Sequence, residues 1–233
     1  RVPLDRLSYN PNDPLEDNGE QAHLNLINAY AAWDITLGLS SIVVAVCDDA
    51  VKITHEDLAP CIWVNNAEIP NNGLDDDANG LIDDYNGWDF ADNDKDPNPP
   101  ATATAASFSH GTHCAGIAGA ATNNNLGLAS LGSGVKIMPL KATANNTNNS
   151  SIITHGWQGV EYAIQKNADI ISISWGSTAY SSVYENLVTY AVNQGIVIVA
   201  AAGNSNSDQP LYPAAYGPVI AVAACENNGI KAS

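Results

Sequence analysis

An acid, an imidazole and an amide follow one another along this chain, each beside a segment suited to hold it. Asp48 closes the apolar run Ile42-Val43-Val44-Ala45-Val46-Cys47. His110 lies in Ser109-His110-Gly111-Thr112-His113-Cys114-Ala115-Gly116, whose small side chains permit close helix packing. Asn204 follows a second apolar run, Ile196-Val197-Ile198-Val199-Ala200-Ala201-Ala202-Gly203. A carboxylate that orients an imidazole, an imidazole that takes a proton and an amide that steadies an oxyanion are three of the four parts of acyl transfer by a serine. Singly, each has a plainer use: a His packs, and an Asn sits in a Gly-Asn turn. Their order, and their places at strand ends or helix starts, favour the chemical use. The fourth part, a nucleophilic Ser, has no convincing candidate up to Ser233.

A second constellation is acidic. Asp75-x-Asp77-x-Asn79-Gly80-Leu81-x-Asp83 follows the spacing of a calcium loop. Asp75, Asp77, Asn79 and Asp83 would supply side-chain oxygens, Leu81 a carbonyl, and Gly80 the sharp turn. Position 12 of the loop is Asn86 instead of Glu, so Asp84 or Asp89 would have to compensate. The plainer alternative is a solvated acidic loop.

These residues need elements to place them. The run 42–47 has the continuous apolar character of a parallel strand buried on both faces. Further strands are expected at 135–140, 170–174, 196–201 and 219–223, and a helix from His110 through Ala121. A helix is expected with Trp157, Val160, Ala163 and Ile164 on one face. Another starts at Ser182 and Glu185, a capping box, with Val183, Leu187 and Ala191 lining one face. A short helix is expected at 26–36, an extended surface arm at 1–20 and an irregular insertion at 65–108. Strands alternating with helices imply an α/β fold, a doubly wound parallel sheet in three α/β/α layers with its site at the strands' carboxyl edge.

A chain of 233 residues suits one such domain. The net charge of −17, with eight Lys plus Arg, argues against nucleic acid or an anionic lipid surface as partner. No apolar run reaches the ~18 residues of a membrane span. The chain starts at Arg1 with no signal peptide in view, so a processed or recombinant amino terminus is expected. Four cysteines allow three pairings, and none of their spacings fits zinc. Cys47 and Cys114 read as buried free thiols; Cys61 and Cys225 stay open.

From about Trp33 to the last residue the chain resembles the subtilisin-like serine proteases. The His segment matches the family fully, and Cys114 is similar to the proteinase K branch. Further matches are Ser174-Trp175-Gly176, Gly203-Asn204 and Tyr212-Pro213. The acid segment departs from it: Asp48-Asp49-Ala50 stands where the family has Asp, Ser or Thr, and Gly. Asp49 adds a like charge that would raise the basicity of His110, and Ala50 would be strained if its φ were positive. The resemblance implies a subtilisin-like fold and a secreted endopeptidase acting on polypeptides, with Asp48 as orienting acid, His110 as base and Asn204 as oxyanion donor. It implies that Ser174-Trp175-Gly176 lines the specificity pocket, with Asn148-Asn149-Ser150-Ser151 at a substrate-pairing edge. The family's Gly-Thr-Ser-Met-Ala segment is expected several dozen residues beyond Ser233, which makes a propeptide or that carboxyl-terminal segment the expected partners and leaves 1–233 alone inactive. A second calcium site is implied at Asp57 and loop 122–128, where Asn124 gives its side chain and Thr122, Leu126 and Leu128 their carbonyls. Two rivals remain: a scaffold that binds peptides without cleaving them, and a calcium-binding adhesion module built on Asp75–Asp83.

Overall fold

A computed structural model describes residues 9–17, 19–104 and 106–232. Among these residues six strands form one parallel sheet, in the order β2-β3-β1-β4-β5-β6. They are β1 (Val43–Asp48), β2 (Trp88–Asp89), β3 (Lys136–Lys141), β4 (Ile170–Ile173), β5 (Val197–Ala201) and β6 (Ile220–Val222). Parallel strands need crossovers, and these are helices α4 (His110–Gly119), α5 (Gly156–Gln165) and α6 (Ser182–Asn193). The α/β, doubly wound, three-layer reading is what the chain adopts.

Side-chain alternation assigns the layers. Val44 and Val46 of β1 face α4, and pack with Ala115, Val135 and Ile137. Ala45 and Cys47 face the other way, into a larger core with Val160, Ala163, Ile171, Ile173 and Ile198 beneath α5 and α6. A strand covered on both sides has no polar face to show, hence its unbroken apolar sequence. The chain leaves β1 for β3 on one side, while β4 leads to β5 on the other, so a crevice opens at the carboxyl ends of β1 and β4.

Some elements differ from expectation. The helix at 26–36 is two short ones, α2 (His23–Leu26) and α3 (Ala29–Trp33), because Asn28 between them is left-handed at φ 59°. The described part of 1–20 is not an extended arm: α1 (Pro14–Asp17) docks through the Leu15 amide on the Gly127 carbonyl at 3.1 Å, and Asp13 is fully buried. Residues 1–8 and 18 lie outside the described residues. The Ser182/Glu185 capping box does not form, since the α6 N-cap is Ser181 and Glu185 accepts the Tyr180 hydroxyl at 2.6 Å. Val183 is accordingly exposed, whereas Ala191 is buried as expected, together with Val188, and Leu187 packs against the same core.

Candidate active site

Asp48 is the last residue of β1 and 2 % exposed. Its Oδ1 accepts the Asp49 amide at 2.7 Å and lies 2.8 Å from Nδ1 of His110. His110 is the first residue of α4, so the crossover that covers β1 also returns the imidazole to the end of that strand. Gly111 must lack a side chain for this approach: a Cβ there would collide with the Ala50 carbonyl and lie 2.7 Å from the Cβ of Asp48. The Asp48 hydrogen bond raises the imidazole pKa from 6.5 to about 11; the Cys114 thiol adds to this and partial burial opposes it.

The imidazole faces a cleft of about 660 Å³ whose walls include Asp49, Ser151, Trp157, Ser174, Gly176 and Asn204. Three loops that the sequence set apart, after β1, after β4 and after β5, therefore meet at one place. Ser174-Trp175-Gly176 leaves the end of β4, and the Trp175 indole donates to the Cys47 carbonyl at 2.9 Å while its ring meets Trp157 edge-on at 5.5 Å. The indole is thus a fixed wall of the cleft. Ser150 and Ser151 line the same cleft from the 148–151 segment. Among the described residues no serine hydroxyl is hydrogen-bonded to His110; its ring partners are Asp48 and, at 3.9 Å, Cys114.

Asp49 acts differently from expectation. Ser109, the N-cap of α4, makes no side-chain cap bond. The Asp49 carboxylate takes that place from the neighbouring strand end, accepting the amides of Gly111 at 2.8 Å, His110 at 3.3 Å and Ala50 at 2.7 Å. Burial pushes its pKa up, the Gly111 amide lowers it, and the Asp48 charge adds to the rise. Ala50 is not among the residues with positive φ, so the residue there carries no such strain. All four cysteines are free. Cys47 is buried and donates to the Gly156 carbonyl at 3.1 Å, whereas Cys114, expected to be a buried thiol, is only partly buried, touching His110 and lying 3.5 Å from the Ser174 hydroxyl.

The chain belongs to the subtilase family. Its subtilase-family model matches residues 40–233. Thermitase of Thermoactinomyces vulgaris is 37 % identical over 225 residues, covering 97 % of this chain and 69 % of thermitase. The halolysin-like extracellular serine protease Nep of Natrialba magadii is 32 % identical, covering 93 % of this chain and 35 % of its own length. A solved structure of a protease from Pseudoalteromonas arctica PAMC 21717 superposes with a TM-score of 0.69 at 28 % identity, over 96 % of this chain and 68 % of that one.

The two expected calcium sites fare differently. Asp57 is buried inside loop 122–128, accepting the Asn124 side-chain amide at 2.9 Å and the Leu128 amide at 3.2 Å. The Asn124 side-chain oxygen accepts the Leu126 amide, and the Thr122 hydroxyl bonds Ser130. Sequence reasoning missed Asp13, whose carboxylate accepts the amides of Asn123 at 2.7 Å and Asn124 at 3.3 Å from the far side. Gly127, at φ 51°, has no room for a Cβ against the Asp57 carboxylate, so the loop forms a close-fitting cradle.

Of the five ligands expected in the 75–83 loop, Asp83 is engaged by other partners. Asp75 accepts the amides of Asn79 at 3.0 Å and Gly80 at 2.8 Å, closing its own turn. Asp83 stands at φ 58° and turns its carboxylate away, onto the Asn72 amide and Lys95. Asp89, one of the two compensating acids, is held by the fully buried Lys141. The other, Asp84, faces Asp77 and Glu68. The Asn79 oxygen and the Leu81 amide bond each other at 2.7 Å within the turn.

Proposed function

We propose that this chain carries the acid, the base and the oxyanion amide of a secreted serine endopeptidase whose nucleophilic Ser lies outside residues 1–233. The observation that carries the reading is the Asp48–His110 hydrogen bond at the carboxyl edge of the sheet, in the same cleft as Asn204. A buried carboxylate on Nδ1 orients the ring and stabilises its imidazolium form; in the neutral form, which the raised pKa places at alkaline pH, the other ring nitrogen is free to accept a proton. The hydroxyl of the incoming Ser would give its proton to that nitrogen while its oxygen attacks a peptide carbonyl. Asn204 would hold the resulting oxyanion, and His110 would return the proton to the leaving amine. Ser174-Trp175-Gly176 walls the specificity pocket.

A bare sheet face supports an added segment. On the α4 side, β1 and β3 are covered, but the register continues across Ile170, Val197, Val199, Ala201, Ile220 and Val222, with no helix above them among the described residues. Val197, Ile220 and Val222 are 41–53 % exposed, whereas Ile171, Ile173 and Ile198 on the opposite face are buried. A further apolar helix packed on this face would start at the crevice, as α4 does. Secretion rests on the resemblance and on the extracellular relative; among the described residues no helix is long and apolar enough to cross a membrane. Substrates are polypeptides, and a propeptide is a second partner.

The Asp13–Asp57–Asn124 cradle fits calcium: its donors are hard oxygens, and its carboxylates are buried and arranged around a loop. Bound there, the ion would fix the amino-terminal segment to loop 122–128. The peptidase reading is tested by peptide hydrolysis with the polypeptide extended through the family's Gly-Thr-Ser-Met-Ala segment. Turnover should appear, and His110→Ala should remove it, by roughly 10⁶-fold as for loss of a triad member in subtilisin. Turnover that survives His110→Ala would end it.

A further inference from the structure

The His110 side chain is 58 % exposed, so packing around the ring does little to fix it. The chain that leads into it is irregular: among the described residues neither helix nor strand lies between β2 and α4. An imidazole that is to take a proton in one fixed geometry needs an anchor on this approach. Phe108, two residues before His110, has the marks of one. Its backbone is left-handed, at φ 53°, where a bulky side chain is an outlier. Such a conformation persists only where the surroundings over-determine it. Here the ring supplies the surroundings: Phe108 is 5 % exposed, and the Lys141 ammonium stands 5.9 Å from the ring centroid. That is within reach of a cation–π contact, which gains strength where water is excluded.

Lys141 is itself fixed on every side. Fully buried, it donates to Asp89, to Asn145 at 2.8 Å and to Asp92 at 3.3 Å, which engages all three ammonium protons. Its carbonyl accepts the Phe90 amide at 2.9 Å. Lys141 stands opposite Asp48 in the register of β1 and β3, and the next residue, Ala142, donates its amide to the Asp48 carbonyl at 2.9 Å. The ring therefore rests on a cation tied to the strand end that carries the acid. Asp49 accepts the amides of His110 and Gly111. The imidazole thus enters α4 between two anchors, Asp49 on the helix amides and Phe108 on the buried ammonium. Phe108 also lines both the active-site cleft and a second cavity of about 660 Å³, between α4 and the loops at 52–58 and 98–104, and forms part of the wall between them.

We propose that Phe108 is a positioning residue for His110, held by its ring on the Lys141 ammonium and setting, through its left-handed backbone, the angle at which α4 delivers the imidazole to Asp48. The proposal deepens the peptidase reading and rests on it for the role of His110 as base; the geometry of the pair does not. Three substitutions separate the parts. A glycine adopts the same φ without strain but has no ring. A leucine keeps apolar bulk without a π face, and a tyrosine keeps the face.

NMR titration of His110 in chain 1–233 reads the pairing without turnover. The groups around the imidazole are Asp48, Asp49 and Cys114, and none of the three substitutions touches them. Folded Phe108→Gly and Phe108→Leu should titrate at least about one unit below the wild type, a tenfold weaker hold on the imidazolium. Phe108→Tyr should titrate with the wild type. A residue that merely filled space would lower the melting temperature and leave the titration in place. If Phe108→Gly fails to fold by circular dichroism, Phe108→Leu and Phe108→Tyr decide. The proposal is overturned if folded Phe108→Leu titrates as the wild type does, or if Phe108→Tyr falls with it. In the extended polypeptide, Phe108→Leu should lower kcat by a larger factor than it raises KM, because a misplaced base is felt in the transition state. Absence of turnover in every extended chain would end the peptidase reading and leave the titration result standing.

Discussion

Asp49→Ala tests how the helix that carries the imidazole is held. In the wild-type chain the Asp49 carboxylate accepts the amides of Gly111, His110 and Ala50, while Ser109 contributes no side-chain cap. Truncation leaves the buried Gly111 amide without an acceptor, at about 1–3 kcal/mol. It also removes a negative charge from a helix amino terminus, worth about 0.3–1 kcal/mol. Relief of the Asp49–Asp48 repulsion and of the buried charge offsets part of this, leaving a net loss of about 1–3 kcal/mol. For a chain of this size each kcal/mol moves Tm by about 2–4 °C, so the melting temperature at pH 7 should fall by about 2–12 °C. Asp49→Asn keeps an acceptor and sheds the charge, and should melt near the wild type. The pH dependence has a definite sign. An acid whose folded pKa is raised stabilises the fold at low pH, and that stability is lost as pH rises through the folded value. Stability of the wild type should therefore decline above the ordinary carboxylate range near 3.8 relative to Asp49→Asn. Thermal melts by circular dichroism from pH 3 to 8 read both effects. An Asp49→Ala melt indistinguishable from wild type would refute the cap.

Lys141 is fully buried between Asp89 and Asp92, so Lys141→Met leaves an uncompensated buried carboxylate and should cost about 3–5 kcal/mol in urea unfolding; a loss below about 1 kcal/mol would mean that Asp89 accepts a proton at no cost. His110 should titrate well above 6.5 by NMR, and Asp48→Asn should bring it down; the stabilisation by imidazolium is present below pH 6.5 and lost as pH rises through the raised value. A His110 pKa unmoved by Asp48→Asn would break the pairing. In the extended polypeptide, Asn204→Ala should lower kcat by about 10²–10³ with little change in KM, a magnitude carried over from the subtilisin oxyanion amide. Unchanged kcat would remove Asn204 from the proposed mechanism.

The strands were legible because parallel strands covered on both faces must be apolar throughout, as in 43–48 and 197–201. The meeting of Asp48, His110 and Asn204 in one cleft was legible for a related reason: each follows or opens such an element, and the crevice of a doubly wound sheet gathers those ends. Other features carry no periodic signal. β2 has two residues, too few for alternation, and is paired to the edge of β3 beside the buried Lys141–Asp89 pair. Asp13 sits in a Pro/Asn-rich stretch, and only the docking of that stretch brings it to loop 122–128. Asp83 fits the calcium spacing by type, but its left-handed backbone aims the carboxylate elsewhere. Phe108 has no motif of its own; its left-handed backbone and its place on Lys141 become visible only once the insertion is folded.

The central proposal is that residues 1–233 supply the acid, the base and the oxyanion amide of a serine-peptidase site whose Ser lies outside them. Intact-mass analysis after fluorophosphonate treatment tests it most directly, because the probe reports a hydroxyl activated by a nearby base. Chain 1–233 should take up no label. The polypeptide extended through the Gly-Thr-Ser-Met-Ala segment should take up one label per chain, on a Ser of the added piece, and His110→Ala should abolish it. Stoichiometric labelling of 1–233 at Ser109, Ser174 or any other of its serines would contradict the account.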